Sequence, residues 1–334
     1  MSNSKPLLLT MGDACGIGPE ITVAAWEAEA GAGPLCVVGD VAVMRRAVRV
    51  LGLTLPVAHL SNLDDLPGVP FHCLPVWQPD NFPADLIDCP VGHVRAAAGE
   101  AAAACITAAV LAIQAGRASA LVTAPIHKEA LHAAGVAFPG HTELLQALAG
   151  NPPVRMMLAS DELRTVLVTI HCSLRRAIDQ ISTANVLETI RISHHALQAM
   201  GIARPRIAVA GLNPHAGEGG LFGDEEVLHI APAIVAARTE GIDASGPFAP
   251  DTVFMRARHT AAHPGEFDVV VAMTHDHGLI PVKYLGVEQV VNVTLGLPFV
   301  RTSPDHGTAF DIAGQGRADA SSMRAAIRMA RQLI

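Results

Sequence analysis

The sequence predicts an α/β protein built on mostly parallel sheets, and three observations carry that prediction. Short runs of β-branched and other apolar residues alternate with Ala-rich stretches of helical length, as parallel strands joined by crossover helices require. Half of the 334 residues are apolar, enough for a sizeable core and too many for disorder. The polar, chemistry-bearing motifs follow the strand candidates directly, on the edge where open α/β sheets bind ligands.

Taken in order, "PLLLTM" is the first strand and runs into "MGDACGIGPEI". Gly16 and Gly18 allow a tight turn there, and Pro19 suits a first helical position, where its missing N–H leaves nothing unpaired. The turn is not a dinucleotide fingerprint, because GxGxxG needs a glycine where Ile21 stands. Pro19 to Ala30 reads as a helix, "PLCVVG" as a strand and Val41 to Leu51 as a helix. "LPVWQPDNFPADLIDCPVGH" carries four prolines and reads as an extended loop or edge segment. A long helix, Arg95 to Ala115, leads to the strand "SALVTA". A helix from Thr142 to Ala149 precedes the strands "VRMMLA" and "RTVLVTI". Helices at Ser182 to Met200, Gly223 to Glu240 and Ala320 to Leu333, with strands "RIAVAGL", "DVVVAM" and "VVNVTL", complete the pattern.

Composition excludes several classes. A net charge of −8 without a basic block, and only 4% aromatic residues, give no footing for tracking a phosphate backbone or stacking bases. The six cysteines are scattered without a CxxC pair, which fits reduced thiols rather than a disulfide framework or zinc finger. The apolar run "AAAACITAAVLAI" is shorter than the roughly 20 residues that span a bilayer, and the N-terminal apolar stretch is too short for a signal peptide. The expectation is a soluble cytoplasmic protein with neither nucleic acid nor membrane as partner. Lysines number three (Lys5, Lys128, Lys283) against 20 arginines. A lysine kept at an internal site is then a candidate for work a guanidinium cannot do, with chance the plain alternative.

Three histidines, His171, His215 and His275, each sit beyond a different strand. Imidazoles so placed suit a borderline divalent ion with an open position for substrate; spacing alone reads equally as ordinary hydrogen-bonded loop histidines. His277 competes with His275, and Asp276 is either a ligand or an orienting group. "GLNPHAGEGGLFGDEE", with His215 and Glu218, lets backbone approach a ligand closely, as a mobile surface loop also would. His141 and Thr142 in "FPGHTELL" open a helix where an anion can be held, or Thr142 is simply its cap. Lys283, Asn292 and Arg301 form an anion clamp, unless they are scattered solvated charges. Lys128 in "TAPIHK" is a candidate for proton transfer or cofactor positioning, or an exposed charge at a helix start.

"GDACGIGPE", "TAPIHKEAL", "FPGHTELL", "HCSLR", "GLNPHAGEGG", "GPFAPDTVF", "HDHGLIPVK" and "VNVTLGLPFVRTSPDHGTAFDIAG" occur in that order over essentially the whole chain. Together they resemble the PdxA family of 4-hydroxythreonine-4-phosphate dehydrogenases. The resemblance implies a homodimer of two-domain α/β/α subunits, like isocitrate and isopropylmalate dehydrogenases. The active site lies in the interdomain cleft and the partner subunit completes it. The expected domains are 1–137 with 290–334, and 138–289. His171, His215 and His275 become the metal triad, and His141, Thr142, Lys283, Asn292 and Arg301 the substrate contacts. Asp251 and Lys128 are the candidate catalytic groups, and no residue is assigned to the cofactor. The implied chemistry is NAD(P)-dependent oxidation of 4-phosphohydroxythreonine with Zn²⁺, Co²⁺ or Mg²⁺, then decarboxylation to 3-amino-2-oxopropyl phosphate.

The sequence departs from the family pattern at Ala14, Cys15, Thr274, His277 and Pro304. D-threonate or D-erythronate 4-phosphate therefore stands as an alternative substrate, ahead of an aromatic cis-dihydrodiol or a non-catalytic sugar-acid-phosphate binder. The retained "GHTE" and the Lys283, Asn292 and Arg301 set favour a phosphorylated ligand.

Overall fold

The structure is a computed structural model that describes residues 5–80, 82–83, 86–286 and 288–334. The chain divides into two compact units: residues up to Pro152 with Leu297–Gln332 and Ile334, and Pro153–Gly296 with Leu333. Residues 138–152 and 290–296 thus fall on the other side of the divide from the expected boundaries. The reason is packing: the helix opened by His141 lies against the long Ala-rich helix of the first unit, and the strand bearing Asn292 pairs with a strand of the second.

The first unit runs β1 (Leu7–Thr10), α1 (Gly18–Glu29), β2 (Leu35–Val38), α2 (Val41–Val50), β3 (Val57–Leu60), β4 (Leu74–Trp77), α3 (Ala96–Gln114), β5 (Ala120–Thr123), α4 (Lys128–Ala133) and α5 (His141–Leu148). The second continues with β6 (Arg155–Ala159), β7 (Arg164–Leu167), α6 (Leu174–Asp179), α7 (Thr183–Ala199), β8 (Ile207–Ala210), α8 (Ala231–Thr239), β9 (Ala244–Phe248), α9 (Val253–Ala257), β10 (Val269–Ala272), α10 (His275–Tyr284) and β11 (Val291–Leu295). The chain returns to the first unit for β12 (Val300–Pro304) and α11 (Ser321–Gln332).

In the first unit the strands lie in the order β3-β4-β2-β1-β5-β12, every neighbouring pair parallel. β1, β2 and β5 are buried throughout, which is why they read as continuous apolar runs rather than alternating ones. In the second unit the order is β11-β6-β7-β10-β8-β9. The β7-β10-β8-β9 portion is parallel, while β6 runs antiparallel to both β7 and β11. The mixed α/β class and the dominance of parallel pairing follow the sequence reading.

Several elements differ from it. "LPVW" is β4, paired between β2 and β3, rather than part of a loop. "VRTSP" is β12, so Arg301 stands on a buried strand and not in a loop. "HDHGLIPVKY" is helix α10 despite Pro281 inside it. The expected helix from Gly223 begins instead with a π turn, Glu226–Ile230, before α8.

α3 is 19 residues long and apolar enough to cross a bilayer by length and composition, longer than the apolar run read from sequence. Half of its most apolar window is buried inside its own unit, against β1, β2, β5 and α4. Its close approach to α4 depends on Gly99, where a Cβ would lie 2.2 Å from the Ala130 carbonyl oxygen. Overpacking of this kind costs about 1–3 kcal/mol. Gly99→Ala is therefore expected to lower unfolding free energy by about that amount in urea titrations, by pushing away the helix that carries Lys128.

Candidate active site

The histidine set rests on strand order. β7, β10 and β8 are adjacent and parallel, so the chain after each leaves at the same edge, about 4.8 Å from its neighbour. His171 follows β7, His275 opens α10 directly after β10, and His215 follows β8. The ladder continues past the strand ends: Val168 N–H donates to the Ala272 carbonyl (2.9 Å), and the Thr169 hydroxyl donates to the Met273 carbonyl (2.8 Å). These bonds tie the two loops together two positions before the histidines.

The His171 and His275 rings consequently meet, with centroids 5.7 Å apart and planes at 47°. Two imidazoles bound to one ion at Zn–N distances of about 2.0–2.1 Å put their centroids roughly 5–6 Å apart, so this pair fits a shared divalent cation. His275 Nδ1 lies 2.8 Å from Asp276 Oδ1, which turns Nε2 outward. This is the contact an orienting carboxylate makes to an imidazole. The Nδ1 of His277 is buried without a partner among the described residues.

His215 is not gathered in with them. Among the described residues no three His, Cys, Asp or Glu side chains stand close enough to hold an ion together; the His215 ring lies instead 6.2 Å from that of Phe222. It sits on an unusual turn. Residues 215 to 219 all have positive φ (53, 54, 77, 44 and 68°), a conformation that costs a non-glycine residue roughly 1–2 kcal/mol. His215, Ala216 and Glu218 all adopt it. Such strain persists only when the surroundings enforce it.

Beside Gly217 of this turn lies Glu226, which sequence reading missed. Its side chain is buried, the residue being 2% exposed. Oε1 accepts from the backbone N–H of Leu212 (2.7 Å) and Asn213 (2.8 Å), and Oε2 from the Asn213 carboxamide (2.9 Å). Burial would raise its pKa, but the bonds from Asn213 and Leu212 outweigh that and hold it below the usual carboxylate range. The available signal was the "EE" pair closing a glycine-dense loop.

The first unit gathers a different set. The Arg301 guanidinium is buried and donates to the Thr123 hydroxyl from Nε (3.2 Å) and Nη2 (2.7 Å). Burial lowers its pKa to about 10, so it remains a cation at neutral pH. His141 lies close enough for Arg301 to act on it: burial first, then that positive charge, push the imidazole well below its ordinary pKa. Its Nε2 is buried without a partner among the described residues. Thr142 is not the cap of α5, since Gly140 takes that position. A buried cation, a neutral imidazole and a hydroxyl at a helix start together suit an anion.

Lys128 is the exposed first residue of α4, a position where the helix dipole disfavours a cation. Beside it is a group that the sequence reading quoted but did not single out. The ring of His127 stacks on Phe310 (4.7 Å, 13°), and Asp13 is fully buried. Asp13 Oδ1 accepts from Cys15 N–H (2.8 Å), while Asp13 Oδ2 and His127 Nδ1 lack partners among the described residues. Burial raises the Asp13 pKa against the Cys15 hydrogen bond and the nearby His127. In the second unit, Asp251 is exposed before α9, Lys283 is in the last turn of α10, and Asn292 is half-buried on β11.

The profile of the family described as pyridoxal phosphate biosynthetic protein PdxA matches residues 32–330. The chain belongs to the PdxA family. A 4-hydroxythreonine-4-phosphate dehydrogenase from Beijerinckia indica is 52% identical over 98% of this chain and 95% of its own length. A D-threonate 4-phosphate dehydrogenase from Salmonella typhimurium is 45% identical over 99% of both. The crystal structure of a 4-hydroxythreonine-4-phosphate dehydrogenase from Klebsiella pneumoniae superposes with a TM-score of 0.86 over 99% of each chain, at 42% identity. The PdxA membership makes the chain a dehydrogenase.

His141 yields a pH prediction. An unfolded chain protonates this ring near pH 6.5, whereas the folded ring stays neutral to well below that. As pH falls below about 6.5 the unfolded state binds the proton first, so stability drops until the folded ring also protonates. Urea denaturation between pH 7.5 and 5.0 should show a smaller loss of stability on acidification for His141→Gln than for the wild type.

Proposed function

We propose that this chain oxidises the 3-hydroxyl of 4-phosphohydroxythreonine with NAD(P)⁺, the resulting 3-keto acid then losing CO₂ to give 3-amino-2-oxopropyl phosphate. The observation that carries the chemistry is the His171–His275 pair at one sheet edge. The substrate class is supported by relatives named as dehydrogenases of 4-hydroxythreonine 4-phosphate and D-threonate 4-phosphate.

In this reading His171, His275 and His215 hold a divalent cation, Zn²⁺, Co²⁺ or Mg²⁺. When bound, the cation supplies Lewis acidity that lowers the hydroxyl pKa and stabilises charge developing during decarboxylation. The nicotinamide supplies the hydride acceptor, and the protein supplies geometry around it. Asp276 keeps the His275 ring turned so that Nε2 faces the ion. Arg301, His141 and Thr142 receive phosphate oxygens. Arg301 offers a fork of donors held by Thr123 in surroundings where charge-assisted hydrogen bonds are strong. Lys283 and Asn292 contribute further polar contacts to the anionic groups of the substrate. Lys128 and Asp251 are the candidates for moving the proton released from the hydroxyl and the one taken up after CO₂ leaves. The enzyme works as a cytoplasmic homodimer whose subunits share the site.

A second reading, oxidation of D-threonate or D-erythronate 4-phosphate, is favoured by Thr274 and His277, which depart from the family pattern on either side of the His275–Asp276 pair. An NAD(P)H-production assay comparing 4-phosphohydroxythreonine with D-threonate and D-erythronate 4-phosphates separates the two. Turnover of the first substrate is expected to fall at least ~100-fold on chelation and to return with Zn²⁺, Co²⁺ or Mg²⁺. Turnover unchanged after complete metal removal would contradict the cation's role. Selective turnover of a threonate or erythronate ester would replace the first reading with the second.

A further inference from the structure

The turn that carries His215 lies in the short 3-10 stretch Pro214–Gly220, wound left-handed over residues 215 to 219. Against it stands a buried carboxylate. Glu226 opens the π turn Glu226–Ile230, a wide turn of the kind that re-aims side chains at functional sites. Its two oxygens take three hydrogen bonds from the two residues that enter the turn, Leu212 and Asn213. The Asn213 carboxamide bridges onward, donating to Glu225 Oε2 at 2.6 Å as well as to Glu226 Oε2 at 2.9 Å. The carboxylate also touches the turn itself: a Cβ on Gly217, whose φ is +77°, would lie 2.7 Å from Glu226 Oε2. Only glycine fits there, so the turn backbone packs directly on the carboxylate.

We propose that Glu226, acting through Asn213, is a positioning residue that clamps the left-handed turn presenting His215 and thereby sets the affinity of the histidine site for its divalent cation. This rests on the reading of His215 as a ligand. Glu226 touches neither substrate nor ion. Its effect is to hold one imidazole donor on a backbone that would otherwise relax to a right-handed or extended form.

The hydrogen-bond pattern makes the claim testable by isosteric change. In Glu226→Gln the amide oxygen can still accept from Leu212 and Asn213 N–H, but its NH₂ faces the NH₂ of Asn213. Flipping the Asn213 carboxamide removes that conflict and sets its oxygen against the Glu225 carboxylate instead. In the double variant Glu225→Gln with Glu226→Gln, the flipped Asn213 oxygen accepts from both new amides and the bridge re-forms. The double variant should therefore recover what the single variant loses, which a merely structural role for one charge does not predict.

The experiment is titration of the metal-free full-length protein with Co²⁺ alone, read by calorimetry and by the visible Co²⁺ absorption, alongside thermal melts. Glu226→Gln is expected to bind Co²⁺ about 10–100-fold more weakly, as loss of an outer-shell partner typically does, while still unfolding cooperatively. The double variant should return to within about 3-fold of the wild type, below that range. Wild-type Co²⁺ affinity in Glu226→Gln, with weakened binding in His215→Ala, overturns the positioning role and leaves His215 as a ligand. Unchanged affinity in His215→Ala removes the ligand reading and the proposal with it. Should Glu226→Gln fail to fold, Asn213→Ala takes its place: it keeps the Glu226 bonds to backbone and deletes only the bridge. Wild-type Co²⁺ affinity in that variant overturns the proposal, and a loss within the same range supports it.

Discussion

Parallel pairing of β7, β10 and β8 is the constraint on which the rest of the second unit depends. Three strands running side by side in one direction deliver three loops to one edge, and each loop carries a histidine. Because β10 lies between the other two, the His275 loop has a histidine-bearing loop on either side, and the His171 ring is the one that meets its ring. The hydrogen bonds that continue the ladder to Thr169 and Met273 extend that order almost to the rings themselves. Donors placed this way need little reorganisation to meet an ion on the β7 and β10 side, where the rings already face each other. On the β8 side the fold spends conformational strain on a left-handed turn, and a buried carboxylate keeps it in place.

The anion-binding character of the first unit has a different origin. Arg301 projects from a strand buried from Arg301 to Pro304, and its partner Thr123 ends the neighbouring strand β5. A guanidinium in that position stays charged, and burial together with that charge keeps the His141 imidazole neutral. Neighbouring groups whose pKa values are both shifted by burial are a common signature of a functional site. Asp13 and His127, each with a buried unpartnered atom among the described residues, extend the polar surface next to Lys128 where β1 and β5 end.

Much of this was legible in the sequence because parallel strands buried on both faces write themselves as continuous apolar runs. "LLLT", "LCVV", "ALVT", "IAVA" and "VVVA" each became a strand. The elements that escaped lack such a pattern. β12 carries a buried arginine and a proline, β9 contains Gly246 and Pro247, and α10 holds Gly278 and Pro281. α4, α6 and α9 are too short to show a helical period. The same logic governs the site. The residues singled out from sequence were those whose side chains carry recognisable chemistry at strand ends. Glu226 was missed because its work is done on backbone N–H groups, which leave no mark in a residue string, and because a left-handed turn in a chain with His, Ala and Glu at its positions contradicts local propensity.

The account stands on three imidazoles from three adjacent strands sharing one cation, and X-ray absorption of the Zn²⁺-loaded protein reads that most directly. The predicted spectrum shows three imidazole nitrogens at about 2.0–2.1 Å, falling to two in His215→Ala. A first shell of oxygen alone, or one unchanged by substitution of any of His171, His215 and His275, would contradict it.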